Sequence, residues 1–214
     1  MENRVALVAG STGLIGSQLL DLLLADNAYS IVIALSRKPL AITNPKLNNI
    51  VLEADELKNF GDIKADDVYC CLGTTIKQAK TKEAFRKIDF DYPVELANTL
   101  KNTGARQFLL ISALGANKNS RIFYNQVKGQ VEEAVSAVGF YAYHIFRPSL
   151  LIGPRKEQRA GEDAAKVFYK IFGFLIPAKY KGIESIKVAR AMIRFAKENK
   201  SGKFIHESGE LQKF

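Results

Sequence analysis

Apolar, β-branched runs alternate with helix-length segments along most of this chain, a pattern that builds a parallel sheet covered by helices on both faces. The runs predict strands over Arg4–Ala9, Ser30–Ser36, Asn49–Glu53, Asp67–Leu72, Gln107–Ser112 and Ala142–Phe146. Between the first two, Gly13–Ala25 carries Leu14, Ile15, Leu19, Leu20, Leu22 and Leu23 on one broad apolar stripe; Tyr92–Lys101 and Asn125–Val138 repeat that helical period. The rhythm changes after Pro148. Residues 150–162 read as a loop, Asp163–Phe172 and Ile186–Asn199 as helices, and residues 203–208 (KFIHES) as a short terminal strand. These elements predict one α/β domain over residues 1–214, a doubly wound parallel sheet, with residues 149–214 forming a small substrate lobe beside the strand ends.

Composition supports a full core, at 47% apolar and 25% charged residues, and excludes disordered, collagen-like and disulfide-scaffold classes. Cys70 and Cys71 are adjacent, a spacing that suits neither a disulfide framework nor zinc; buried, inert thiols in a reducing cytoplasm are expected. The N-terminus enters a strand-like run directly, without the features of an export signal. Val167–Pro177 is strongly apolar, but its 11 residues are too few for a transmembrane helix; core packing, a pocket lid, a dimer contact and a membrane-surface contact all fit it. His144 and His206 each lack a second ligand nearby in sequence, so no metal is expected.

Charge is uneven. The net +9 divides into +2 over residues 1–150 (17 cations, 15 anions) and +7 over residues 151–214 (14 and 7). A basic C-terminal third suits a phosphorylated cofactor, an acidic substrate, an anionic surface or simple solvation. No finger-like Cys/His pairing or aromatic ribonucleoprotein signature is present, so no nucleic-acid partner is expected.

Three motifs carry chemistry. Gly10-Ser11-Thr12-Gly13-Leu14-Ile15-Gly16 lies between the first strand and the first helix. There, glycines permit a tight turn and close approach to a pyrophosphate, while the helix N-terminus supplies N–H groups and a positive dipole end. The predicted fold is therefore Rossmann-like. At the end of the second strand stand Arg37 and Lys38, with no acid between Asp26 and Glu53. A dinucleotide site that prefers NAD places an acid there, and cations suit the 2′-phosphate of NADP(H). The third motif joins Ser112, at the end of the fifth strand, to Tyr124 and Lys128, which share one helix face. A phenol with a pKa of about 10 acts as acid or base near neutrality only if its phenolate is stabilised, which an adjacent ammonium can do. Ser112 would orient a substrate carbonyl.

These elements, in this order, resemble the short-chain dehydrogenase/reductase superfamily. The finer text, Cys70-Cys71-Leu72-Gly73-Thr74-Thr75, Phe123-Tyr124-Asn125-Gln126-Val127-Lys128-Gly129 and Phe146-Arg147-Pro148, resembles its atypical branch, the Tat-interactive protein oxidoreductases and their bacterial relatives. The resemblance covers nearly the whole chain, with one gap near Ile76–Lys80. It implies that Thr12, Gly13, Leu14 and Ile15, the pair Arg37 and Lys38, and the turn Leu72, Gly73 and Thr74 hold NADPH. It further implies that Tyr124 and Lys128 are catalytic, and that Leu151 and Arg159 close on the cofactor. Two positions depart from the family pattern. Ser112-Ala113 replaces a pair of serines, and Asp89 stands where many members carry an asparagine; Asp89 is expected to cap the helix that begins near Tyr92.

The leading expectation is an NADPH-dependent oxidoreductase of a small carbonyl or alcohol compound. An NADPH-loaded interaction module and a sugar-nucleotide epimerase or dehydratase are the alternatives. A homodimer is expected only by analogy with the superfamily.

Overall fold

Seven parallel strands build the sheet, in the spatial order β3 (Leu47–Val51), β2 (Tyr29–Ser36), β1 (Arg4–Ala9), β4 (Asp67–Cys70), β5 (Gln107–Ile111), β6 (Ala142–Arg147) and β9 (Gly202–Glu207). The computed structural model describes residues 3–53, 56, 63–153 and 180–214. β7 (Leu151–Ile152) and β8 (Ile183–Glu184) pair separately, also in parallel. The first six strands of the sheet run in the order of a doubly wound dinucleotide fold, whose chain reversal lies between β1 and β4.

Strands β1, β4 and β5 are almost wholly buried because helices cover both of their faces. On one face α1 (Leu14–Ala25) and α6 (Ser185–Lys197) meet β1, β2 and β6 through Leu19, Leu20, Leu23, Val188 and Met192. On the other, α4 (Tyr92–Asn102) and α5 (Phe123–Val138) pack Leu96, Leu100, Val131 and Val135 against Leu7, Val68, Phe108 and Leu110.

At the N-terminal edge of the sheet, Asp67 ties these layers together. Its carboxylate accepts from Arg4 Nη2 at 2.7 Å, Tyr29 Oη at 2.7 Å and Gln107 Nε2 at 3.0 Å. Arg4 and Gln107 also donate to the Ala196 carbonyl at the end of α6. Five elements thus share one buried polar knot.

The expected C-terminal lobe is drawn differently by the structure. From Ser185 onward its described residues belong to the main layers, because β9 pairs with β6 over six residues and α6 packs on α1. Helix Asp163–Phe172, the apolar segment Val167–Pro177 and Arg159 lie outside the described residues. Residues 76–91 form α2 (Ile76–Ala79), α3 (Lys82–Arg86) and a π-helical turn (Lys87–Asp91) leading into α4. The hydroxyls of Thr75 and Thr81 cap α2 and α3 by accepting from Gln78 N and Ala84 N. Among the described residues no helix is long and apolar enough to cross a membrane.

His144 and His206, expected to stand apart, meet across β6 and β9 with Nδ1 to Nε2 at 3.0 Å. They stack among Phe195, Phe204 and Phe146. His206 Nδ1 also lies 3.1 Å from Glu210. No cluster of three or more potential metal ligands occurs among the described residues.

Two rings in nitrogen-to-nitrogen contact need one bare acceptor, so the two cannot both be protonated, and His144, the more enclosed by rings, is the one held neutral. Burial first and His206 second push His144 down to about 4; burial also lowers His206, against the pull of Glu210. The unfolded rings bind protons near pH 6.5, so this stabilisation is present above that pH and is lost as pH falls toward 4. Asp67, raised by burial to about 6, acts in the opposite direction over the same range, so a variant must be compared with wild type at each pH. His144→Phe keeps the aromatic stack and removes the titration. Its melting temperature is expected to gain about 5 °C on wild type between pH 7 and pH 4.5, read by circular dichroism. A difference independent of pH would refute a neutral His144.

Candidate active site

The glycine loop is held by backbone contacts that leave no room for side chains. Gly10 has φ +80, and a Cβ on it would lie 2.7 Å from the Cys71 carbonyl oxygen. A Cβ on Gly16 would lie 2.1 Å from the carbonyl oxygen of Gly10. The first turn of α1 therefore sits directly on the end of β1, and the loop sits directly on the end of β4. Gly13 caps α1 without a side-chain hydrogen bond, which leaves the first-turn N–H groups facing the exposed Thr12–Gly13 stretch. That arrangement fits a pyrophosphate. Ser11 contributes differently: its buried hydroxyl donates to the Leu35 carbonyl at 2.9 Å and locks the loop to β2. Ile15 is buried in the core, so only its backbone remains for a ligand.

Arg37 and Lys38 are exposed just beyond β2. Their turn is fixed by Ser36, whose hydroxyl donates to the Lys38 carbonyl at 2.7 Å and accepts from Asn49 Nδ2 at 2.8 Å. The two cations thus stand on a braced turn at the rim of the same sheet edge.

Gly73 connects the loop to the catalytic candidates. A Cβ there would lie 3.3 Å from Asp89 Oδ1 and 3.6 Å from Lys128 Nζ. Lys128 forms an ion pair with Asp89 at 2.8 Å, the two side chains being 5% and 0% exposed. Thr74 N–H donates to the other Asp89 oxygen at 2.9 Å. Asp89 is therefore not the expected helix cap. Pro93, four residues later, has no N–H for the Asp89 carbonyl, and the chain widens into a π turn that carries Asp89 inward. Burial alone would lower the Lys128 pKa; the charge of Asp89, with a smaller contribution from Tyr124, reverses that and leaves it raised. Tyr124, one turn before Lys128, is half-buried with its ring 5.5 Å from that of Phe85.

Ser112 stands in a different network. Its hydroxyl donates to Glu132 Oε1, and Glu132 is clamped by Arg147 at 3.0 Å and 2.6 Å. Serine has one hydrogen to give, so Ser112 as placed can accept from a substrate but has none left to donate. It is 4% exposed. A groove of about 360 Å³ beside this network is lined by Lys118, Glu132, Glu133, Arg147 and Lys203, and by none of the predicted nucleotide residues.

Leu151 packs against the core near α1, and the following Gly153 lies so close to Leu14 that a Cβ would fall 2.9 Å from its Cδ1. The β7 segment is thereby set beside the nucleotide loop. Cys70 is buried and its thiol is pushed up to about 12 by desolvation; the Cys71 thiol is raised for the same reason.

Residues 6–172 match the NAD dependent epimerase/dehydratase family. The chain is 34% identical over 200 residues to protein HTATIP2 of Rattus norvegicus, covering 90% of this chain and 81% of that protein. It is 37% identical over 158 residues to the mitochondrial protein FMP52-1 of Scheffersomyces stipitis, covering 72% and 70% of the two chains. Identity to the mitochondrial protein FMP52 of Debaryomyces hansenii is 33% over 203 residues, covering 90% and 88%. Among solved structures, MoeE5 in complex with UDP-glucose and NAD superposes with a TM-score of 0.71 at 15% identity, covering 96% of this chain and 79% of that one. The cytoplasmic expectation does not stand against relatives named as mitochondrial proteins. Free thiols suit any reducing compartment, so Cys70 and Cys71 never distinguished the cytosol from an organelle.

The loop contacts separate glycines required by the fold from glycines required by a ligand. Gly16→Ala forces a methyl into the Gly10 carbonyl and is expected to cost about 3 kcal/mol in urea unfolding. Gly13→Ala meets the same oxygen at 3.2 Å and is expected to cost about 1 kcal/mol or less while still impairing nucleotide binding. Equal losses in the two variants would show that Gly16 is not the packing contact described.

Proposed function

Because the chain belongs to the NAD dependent epimerase/dehydratase family, we propose that it is an NADPH-dependent oxidoreductase acting on a small carbonyl or alcohol substrate. The observation that carries this reading is one of contiguity. Gly10 abuts Cys71, the turn continues to Gly73, and Gly73 lies against Asp89 and Lys128, which shares its helix face with Tyr124. Loop, turn, lysine and tyrosine thus occupy one continuous rim at the C-terminal ends of the strands, where open α/β sheets bind ligands.

In this scheme the first-turn N–H groups of α1 hold the pyrophosphate, and Arg37 and Lys38 hold the 2′-phosphate. NADPH, when bound, supplies the hydride. Tyr124 gives its phenolic proton to the substrate oxygen as negative charge develops there, and takes it back in the reverse direction. The Lys128 ammonium stabilises the resulting phenolate, and its remaining hydrogens would serve ribose hydroxyls. Ser112 orients the substrate oxygen only if Glu132 releases its hydrogen; otherwise Tyr124 carries that role alone. The Ser112–Glu132 bond also supports a second reading, a nucleotide-loaded interaction module with little turnover, because one member of the catalytic set is already satisfied within the protein.

With no tryptophan in the chain, NADPH emission can be followed against a tyrosine background. Arg37→Ala combined with Lys38→Ala is expected to weaken NADPH about tenfold to a hundredfold and to leave NADH nearly unchanged. Equal losses for both nucleotides would remove the NADP assignment. Tyr124→Phe is expected to bind NADPH as wild type does and to lose NADPH oxidation with any aldehyde or ketone that wild type turns over. Full activity in Tyr124→Phe, or no wild-type turnover across such a panel, would favour the interaction module.

A further inference from the structure

We propose that Asp89 is the positioning residue of this site: it holds Lys128 as an ammonium and joins it, through Thr74, to the turn beneath which the pair is buried. The inference deepens the reading above and rests on it for the roles of Tyr124 and Lys128.

Three features of the structure carry it. First, one carboxylate serves both partners, Lys128 Nζ through Oδ1 at 2.8 Å and the Thr74 N–H through Oδ2 at 2.9 Å. The lysine and the turn Leu72–Thr74 therefore shift only together. Second, the placement of Asp89 is built into the backbone, since the π turn before Pro93 widens the helix at that residue. Third, Gly73 leaves the space above the pair clear of a side chain.

The charges around Lys128 make the dependence specific. The groups acting on it are Asp89 from the π turn, Tyr124 from its own helix and Cys70 from β4. A phenol is neutral at pH 7, and the Cys70 thiol, pushed up to about 12, is neutral as well. Asp89 is the one carboxylate among these three, so it is the chief offset to the burial of the ammonium. A lysine this buried without a counter-ion gives up its proton.

The test is the protonation state of Lys128 in the nucleotide-free protein, read from its 15Nζ resonance and assigned by the loss of that signal in Lys128→Met. The wild-type signal is expected to remain that of an ammonium across the pH range in which the protein stays folded. In Asp89→Asn, which keeps an acceptor for Thr74 and removes the charge, about tenfold or more neutral amine is expected at a given alkaline pH. Asp89→Glu is expected to restore the ammonium. Identical titration in wild type and Asp89→Asn would overturn the proposal, because a merely structural role would move the melting temperature and leave the lysine unchanged. If Asp89→Asn does not fold, Lys128→Met gives the converse measurement. In that variant the Thr74 amide resonance is expected to move as the Leu72–Thr74 turn loses its tie to the lysine, and an unmoved Thr74 amide would overturn the coupling. A failed NADPH titration would sink the cofactor assignment while leaving these nucleotide-free results intact.

Discussion

The contact of Gly16 with the Gly10 carbonyl governs how the C-terminal edge of this sheet is assembled. With 2.1 Å between that oxygen and a would-be Cβ, α1 can begin directly over the end of β1 only if residue 16 is glycine. That start sets the angle at which α1 crosses the sheet, and with it the packing of α1 on α6. The same loop presses Gly10 against Cys71, so the exit of β4 is placed by backbone contact as well. The Leu72–Thr74 turn, Asp89 and Lys128 follow from that exit. Close backbone approach tolerates no adjustment by rotamer, so this edge is stiffer than one built from side chains.

Three buried carboxylates then do different work. Asp67 joins strands and α6 at the far edge of the sheet, where no ligand role is expected for such a fold. Glu132 binds Arg147 through both oxygens and takes the hydrogen of Ser112. Asp89 faces the rim. A desolvated carboxylate is costly unless each oxygen has partners, and in all three cases the partners come from different elements. Each acid therefore fixes relative positions of elements as much as it adds stability. A ligand at the rim would meet polar groups that are already oriented.

Much of the fold was legible because buried parallel strands are written as short apolar runs. β1, β5 and β6 lie within a residue of expectation. β3 is displaced by two residues, since Leu47-Asn48 does not read as strand; Asn49 uses its amide to brace Leu40, Ala34 and Ser36. β9 reads as a short terminal strand, but nothing local in KFIHES says that it extends the main sheet beside β6. The glycine loop and the Tyr124–Lys128 spacing were readable because they are local patterns. The partners of Lys128 and Ser112 were not, because Asp89 lies 39 residues before Lys128 and Glu132 lies 20 residues after Ser112. One clue to Asp89 was present: Pro93 inside an otherwise helical run signals a distorted turn just upstream.

The basic excess of the C-terminal third shows why net charge is a poor guide to partners. Among its described residues, Lys187 donates to the Gln212 carbonyl, Lys197 pairs with Asp26, and Arg194 and Lys200 both lie beside Glu198. Lys187 and Lys197 tie α6 to its surroundings, and Arg194 and Lys200 are paired locally at its end. Arg37 and Lys38 belong to the nearly neutral part of the chain, yet they stand exposed on a braced turn at the ligand edge. A phosphate recognises where cations are held, not how many a segment contains. Two cations on a braced turn at the rim are therefore a more specific argument for the NADPH proposal than an excess of seven dispersed through the last third.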